Sequence, residues 1–168
     1  QLRRNFVILM ILLSTNSFVY FLINFQMKYV KGSLIENTLA SQGAEFTADV
    51  FSGVIYNFLG ARKSFVTSYL FSIVGSLLLL FFIDDTNLIF IFIIIAKFGI
   101  SAAFTISFIA SIQLIPTIFA ASVFGYCNIA ARTVTIMSSM VAELEEPTPL
   151  IVSASAAFLA AVVSMFII

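Results

Sequence analysis

The chain has 168 residues, 61% of them apolar and 10% charged, with a mean hydropathy of +1.14. Soluble domains average roughly half apolar and a quarter charged residues, so this composition predicts an integral membrane protein. Eight basic and eight acidic residues cancel, which leaves no net charge to attract nucleic acid. The absence of His and the single Cys exclude a Ser-His-Asp triad, a His-ligated metal and an internal disulfide.

Apolar runs follow one another along the chain, each near the 20 or so residues that cross a bilayer as a helix. The runs 6–27, 65–83 and 150–168 contain no charge, whereas 38–59, 88–114 and 118–143 contain ionisable residues. Clusters of Gly, Pro, polar and charged residues separate them, at 31–33, 60–63, 84–87, 116–117 and 145–149. The pattern predicts an all-α membrane protein, with one domain over residues 1–168 that contains these six transmembrane helices.

Charges outside the runs indicate the orientation of the helices. One side has four basic residues and the other has two: Arg3, Arg4, Arg62 and Lys63 against Lys28 and Lys31. Because basic residues collect in cytoplasmic loops, we expect a multi-pass protein with both termini on the cytoplasmic side of a plasma or organelle membrane. The first run also resembles a signal sequence, although it is longer than the apolar segment of one.

Four ionisable residues remain inside the predicted spans: Glu45, Asp49, Lys97 and Arg132. Each costs a few kcal/mol if it faces lipid at mid-bilayer, so we expect them to point inward and to pair. At about 1.5 Å per helical residue, the last three lie roughly 14 to 17 Å below the outer boundary, near the midplane. Two interpretations remain open, namely salt bridges that hold the helices together and a polar midplane site for a small ion or solute. We favour the site, because Ser, Thr and Gly hold membrane helices together at lower cost.

Aromatic residues are candidates for lining the same site. Tyr20 lies deep in the first span, and Phe104 and Phe108 share a face of the fourth by their i, i+4 spacing. With 20 Phe in the chain, any single Phe is more often part of the core or in contact with lipid. Tyr20 is the better candidate, since a buried hydroxyl needs a hydrogen-bond partner.

Four segments carry a resemblance to a known family by their order and spacing. They are Asn57-Phe58-Leu59-Gly60-Ala61-Arg62-Lys63, Lys97-Phe98-Gly99-Ile100-Ser101-Ala102-Ala103-Phe104, Gln113-Leu114-Ile115-Pro116-Thr117, and Ala131-Arg132 followed by Ser138, Ser139 and Ala142-Glu143-Leu144. Over nearly the whole chain they resemble the C-terminal six-helix half of a major facilitator superfamily transporter, in the branch of the organic cation and organic anion transporters. The resemblance implies one half of a twelve-helix bundle.

The resemblance also implies roles for individual residues. Arg132 matches the arginine that faces anionic substrates in the family, Tyr20, Phe104 and Phe108 match aromatic positions of the central cavity, and Glu45 matches an acidic position. The chain departs from the family pattern where Asp49 replaces a Lys of the anion transporters, Gln113 a Glu, Ala61 and Ala120 an Arg, Asn57 an acid, and Ser139 a Pro. These departures imply that several charge contacts at the cytoplasmic face are missing.

Two functions are therefore expected, in different classes. The first is a portion of a secondary active transporter for a small organic ion or zwitterion, in which Arg132 holds an anionic group and Asp49 or Glu45 holds a cationic group or a coupling proton. The alternative is a degenerate half-transporter that serves as a structural subunit of a larger membrane complex, with Asp49 and Arg132 permanently paired. An enzyme is not expected, because Glu45 and Asp49 share one helix and cannot face each other as a catalytic pair. No cofactor or metal is expected either.

A partner is expected besides the lipid bilayer. Alone, the chain would turn Asp49, Lys97 and Arg132 toward lipid or an unfilled face, which the cost of buried charge opposes. The partner would be a missing N-terminal six-helix half or another membrane subunit.

Overall fold

The computed structural model describes residues 2–27, 34–82, 86–144 and 147–167. Across these residues the chain forms five helices: α1 (Leu2–Gln26), α2 (Leu34–Phe81), α3 (Thr86–Leu114), α4 (Thr117–Ala142) and α5 (Thr148–Ser164). The predicted break at 116–117 is confirmed, since Pro116 is the N-cap of α4. The break predicted at 31–33 lies outside the described residues, as do 84–85 of the break predicted at 84–87 and 145–146 of the break predicted at 145–149. The remaining residues of these two breaks are helical from residue 86, where α3 begins, and from residue 148, where α5 begins.

The five helices pack into one bundle, in which α2 and α3 make the most extensive contact. α1 packs against α3, α4 and α5, whereas α2 packs against α3 and α5. Leu12 and Val19 of α1 are fully buried and belong to one apolar core with Phe65 of α2 and Ile100 and Ile106 of α3. This arrangement brings the polar residues of α1, α2 and α3 to one place.

The outside of the bundle is apolar. Phe58 is 85% exposed, Ile118 is 86% exposed and Met140 is 71% exposed, and large apolar side chains are exposed on all five helices. A soluble monomer rarely shows contiguous apolar surface on this scale, whereas a membrane protein presents it to lipid.

α2 breaks once, at Gly60. Its dihedral angles, φ 74° and ψ 169°, lie in a region that an L side chain rarely adopts. The Ser64 hydroxyl donates a hydrogen bond to the Ile55 carbonyl oxygen at 3.2 Å, nine residues back along the chain. In a straight helix nine residues span about 13.5 Å, so the axis of α2 must turn sharply here.

The predicted break at 60–63 is confirmed in place, at Gly60, but it takes one residue rather than a four-residue loop. Among the described residues of this segment only Gly60 departs from helical geometry, and helix continues directly on both sides of it. The segment has no Pro to end a helix, and the Ser64 hydroxyl also donates to the Gly60 carbonyl oxygen at 2.7 Å. α2 therefore takes in both the second and the third predicted span.

Three segments within the described ranges are long and apolar enough to cross a membrane, namely Arg3–Gln26, Thr38–Phe81 and Ile91–Leu114. α5 is apolar but has only 17 residues, and α4 carries Asn128 and Arg132 in its middle. The fold is all-helical and compatible with a helical membrane protein.

Candidate functional site

Three polar residues one helical turn apart form a stripe on α1. Asn16, Tyr20 and Asn24 follow an i, i+4, i+8 spacing, which places them on one face of the helix. Their side chains bond to residues of α2 and α3. The site is built on this stripe.

Lys97 of α3 is fully buried against the stripe. Its Nζ donates a hydrogen bond to Asn24 Oδ1 at 2.6 Å and lies 3.7 Å from Glu45 Oε2. The same ammonium stands 3.5 Å from the centroid of the Tyr20 ring, within range of a cation–π interaction. A buried ammonium is costly without such partners, and here it has an amide oxygen, a carboxylate and an aromatic face.

Glu45 of α2 completes what we call the lysine cluster, made of Tyr20, Asn24, Glu45 and Lys97. The Tyr20 hydroxyl donates to both carboxylate oxygens of Glu45, at 2.7 and 2.9 Å. The Glu45 side chain is 25% exposed and that of Lys97 is 0% exposed. The cluster joins three helices and carries no net charge.

An aromatic cluster adjoins the lysine cluster. Tyr20 stacks on Phe104 with ring centroids 5.9 Å apart, and Phe104 meets Phe108 edge-on at 4.9 Å. Phe124 of α4 extends the cluster beyond Phe108, and Phe21 extends it beyond Tyr20. We call these five rings the aromatic cluster.

Asp49 and Arg132 lie beside the aromatic cluster, and both are exposed. The Thr105 hydroxyl donates a hydrogen bond to Asp49 Oδ1, next to Phe104 in sequence. The guanidinium carbon of Arg132 lies 5.9 Å from the ring centroid of Phe21. The surface near the aromatic rings therefore has an acid on α2 and a base on α4.

The predicted residues are thus brought together only in part. Tyr20, Glu45 and Lys97 contact one another, and Phe104 and Phe108 lie next to them. The expectation that the lone chain exposes Lys97 is wrong, because Asn24, Glu45 and the Tyr20 ring enclose it.

The expectation that all four charges point inward and pair is also wrong for this chain. Within the part of the chain that the structure describes, Glu45–Lys97 is the single ion pair, and Asp49 and Arg132 are exposed. Asp49 instead accepts a hydrogen bond from Thr105, and Arg132 lies against the ring of Phe21.

A second buried polar cluster, which was not predicted, is built around Asn16, one helical turn before Tyr20 on α1. The Tyr69 hydroxyl donates to Asn16 Oδ1 at 2.6 Å, and Asn16 Nδ2 donates to Ser107 Oγ at 2.7 Å and to the Ala103 carbonyl oxygen at 3.1 Å. Asn16, Tyr69 and Ser107 are all 0% exposed. The cluster joins α1, α2 and α3 without any charge.

Asn16 and Asn24 carry a signal that sequence reasoning overlooked. Each lies one helical turn from Tyr20, in a run that is otherwise strongly apolar. Polar side chains at this spacing in a membrane helix have to face a polar partner.

The arrangement combines an aromatic surface with two charged side chains. Its aromatic rings provide an apolar wall, and Asp49 and Arg132 provide one charge of each sign. No group of three or more His, Cys, Asp or Glu that could hold a metal ion occurs among the described residues.

Neither a protein-family model nor a curated protein matches the chain.

Proposed function

We propose that the chain forms part of a secondary active transporter that moves a small organic ion or zwitterion across a membrane by alternating access. The observation that carries this proposal is the separation of Asp49 and Arg132, which are exposed beside the aromatic cluster and form no ion pair with each other in the described residues. Exposed charges at mid-bilayer depth cost several kcal/mol against lipid, so they require a ligand or a partner.

In this proposal each part of the site has one task. Arg132 binds an anionic group, Asp49 binds a cationic group, and the rings of Tyr20, Phe104 and Phe108 contact the apolar body. Transporters place their substrates near the midplane, between two halves that rock against each other. Glu45 and Lys97 neutralise each other and hold Tyr20 in place between α2 and α3.

We also propose that the chain crosses the membrane six times, as one half of a major-facilitator-type bundle. The apolar segment Thr38–Phe81 has 44 residues and would be about 66 Å long if straight, more than twice the roughly 30 Å of a bilayer core. The turn at Gly60 divides it into two arms, each long enough for one crossing. A second half, either an N-terminal six-helix half or another membrane subunit, would cover Asp49 and Arg132.

Uptake of three compounds that share a phenyl group tests the transport proposal. Cells that express the chain together with the second half or subunit that completes it are given radiolabelled phenethylamine, 3-phenylpropionate or phenylalanine, which are a cation, an anion and a zwitterion. We expect phenylalanine to accumulate above the level in cells that lack the protein. Arg132→Ala should abolish this uptake while surface expression persists, and Asp49→Asn should shift the preference toward 3-phenylpropionate.

The matched control is Thr133→Ala, which changes an exposed residue next to Arg132 whose hydroxyl bonds only within α4. Its uptake should stay within about twofold of the unmodified protein. Unchanged uptake in Arg132→Ala would remove Arg132 from the site.

The closed lysine cluster favours a second candidate, a structural subunit of a larger membrane complex. Lys97 is fully buried and its three partners all come from this chain, as in a permanent joint between helices. In this case Asp49 and Arg132 would bind charges of another subunit. Absence of uptake for all three compounds, together with loss of a co-purifying subunit in Arg132→Ala, would support it.

A further inference from the structure

A groove of about 450 Å³ lies at the turn of α2. It is lined by Leu59, Arg62, Lys63, Val66, Thr67 and Met165. The first five residues surround the Gly60 break, and Met165 directly follows α5. The lining of the groove includes neither Asp49 nor Arg132.

Two cations line this groove. Arg62 and Lys63 are exposed, and in the regions that the structure describes neither forms a salt bridge. Arg62 is held in place, because its Nη2 donates to the Ile167 carbonyl oxygen at 3.2 Å. Its remaining guanidinium N–H groups can donate hydrogen bonds to an anion such as a phosphate.

The rest of the lining is mainly apolar. Leu59 is 43% exposed and Met165 is 50% exposed, and Val66 also lines the groove. A soluble anion such as inorganic phosphate has no apolar part that could pack against these side chains. A phospholipid has both parts, since its phosphate matches the two cations and its acyl chain matches the apolar wall.

We propose that this groove binds an anionic phospholipid of the surrounding bilayer, with the phosphate at Arg62 and Lys63 and one acyl chain along Leu59, Val66 and Met165. The orientation expected from the basic residues places the groove in the cytoplasmic leaflet, where anionic lipids are concentrated. The lipid offsets one of the two positive charges at the turn of α2 and joins that turn to the end of α5.

Lipid retention measured by native mass spectrometry tests the proposal. The full chain is reconstituted in nanodiscs of phosphatidylcholine with one part in five of phosphatidylglycerol. The lipids that remain bound to the protein after its release from the nanodisc are then counted. We expect one phosphatidylglycerol to be retained in preference to phosphatidylcholine. Arg62→Gln/Lys63→Gln should weaken this binding roughly tenfold or more, because each cation near an anionic lipid contributes measurably.

Arg3→Gln/Arg4→Gln is the matched control, because it removes two exposed cations that do not line the groove. Retention in this variant should stay within about twofold of the unmodified protein. Equal losses in the two double variants would overturn the proposal in favour of diffuse surface attraction, and so would equal retention of phosphatidylcholine and phosphatidylglycerol.

Two further measurements test the role of the apolar wall and provide for a double variant that does not fold. Glycerol 3-phosphate carries the phosphate without acyl chains, so it should not displace the lipid at millimolar concentration, and displacement would overturn the role of the apolar wall. If the double Gln variant fails to fold, Lys63→Gln is compared with Lys63→Arg. The first should bind severalfold more weakly and the second should bind normally, whereas equal binding by both would contradict the proposal.

Discussion

Lys97 depends on Glu45 for its stability inside the bundle more than Glu45 depends on Lys97. The Lys97 ammonium is fully enclosed, whereas the Glu45 side chain is 25% exposed and also accepts the single Tyr20 O–H, which is shared between its two oxygens. Without Glu45, the enclosed Lys97 side chain would keep only an amide oxygen and a ring face as partners. Without Lys97, Glu45 would keep its tyrosine donor and part of its exposure.

This asymmetry predicts unequal costs for the two neutralising substitutions. Glu45→Gln should destabilise the fold by about 3–5 kcal/mol, as expected when a buried charge loses its partner, and Lys97→Met should cost clearly less. The double variant Glu45→Gln/Lys97→Met should be more stable than Glu45→Gln alone, because no charge is left unpaired. Thermal unfolding in detergent, followed by circular dichroism, measures all three. Equal losses in the single variants, or additive losses in the double variant, would contradict this account.

At the scale of elements, glycines bring α2 and α3 into close contact. A Cβ added at Gly75 would lie 2.7 Å from the Ala96 Cβ and would meet the Ala96 backbone. One added at Gly99 would lie 2.7 Å from the Ser68 carbonyl oxygen and would meet the backbone of Ser72. Small residues on both helices allow this approach, as is typical of packing between membrane helices.

Gly75→Ala should therefore force α2 and α3 apart and lower stability by about 1–3 kcal/mol, the usual cost of overpacking. Gly99→Ala should act in the same direction. Gly53→Ala is the matched control, because an added Cβ there meets nothing within 4 Å and alanine favours the helix. Melting temperatures that fall for the first two variants but not for the third would confirm the close approach. A similar fall in Gly53→Ala would assign the effect to lost backbone flexibility.

Several elements follow from the sequence because their signals are local. Uncharged runs of 20 residues predict helices directly, and Pro116 predicts the start of α4. The single-residue break at Gly60 was predicted as a loop, because a basic cluster alone does not distinguish a loop from a sharply turned helix. Which carboxylate pairs with Lys97 was not predictable either, since Glu45 and Asp49 lie one turn apart and tertiary packing chooses between them.

At the scale of the whole molecule, polarity is organised in two directions. Across the bundle, apolar side chains lie outside, and the polar clusters lie where α1, α2 and α3 meet. Along the bundle, Arg3, Arg4, Arg62 and Lys63 mark the predicted cytoplasmic end, and Glu143 marks the predicted opposite end. The apolar exterior suits a fold that is surrounded by lipid. The distribution of charge along the bundle predicts its orientation in the membrane.

The turn of α2 carries the last prediction, since it decides how many times the chain crosses the membrane. The native thiol of Cys127 is removed first by Cys127→Ser, so that only an introduced cysteine can be labelled. Cys127 is 1% exposed. Into this Cys127→Ser background we place Arg3→Cys, Lys63→Cys or Glu143→Cys, each at an exposed position. Intact cells are treated with a membrane-impermeant thiol reagent, and labelling is compared with that after permeabilisation.

Two crossings separate residue 3 from residue 63 if α2 reverses at Gly60, and three further crossings separate residue 63 from residue 143. Arg3→Cys and Lys63→Cys should then be labelled only after permeabilisation, and Glu143→Cys should be labelled in intact cells. Labelling of Lys63→Cys from the same side as Glu143→Cys would mean that the two arms of α2 do not each cross the bilayer. In that case the six-crossing arrangement would fail, and with it the common depth of Asp49, Lys97 and Arg132.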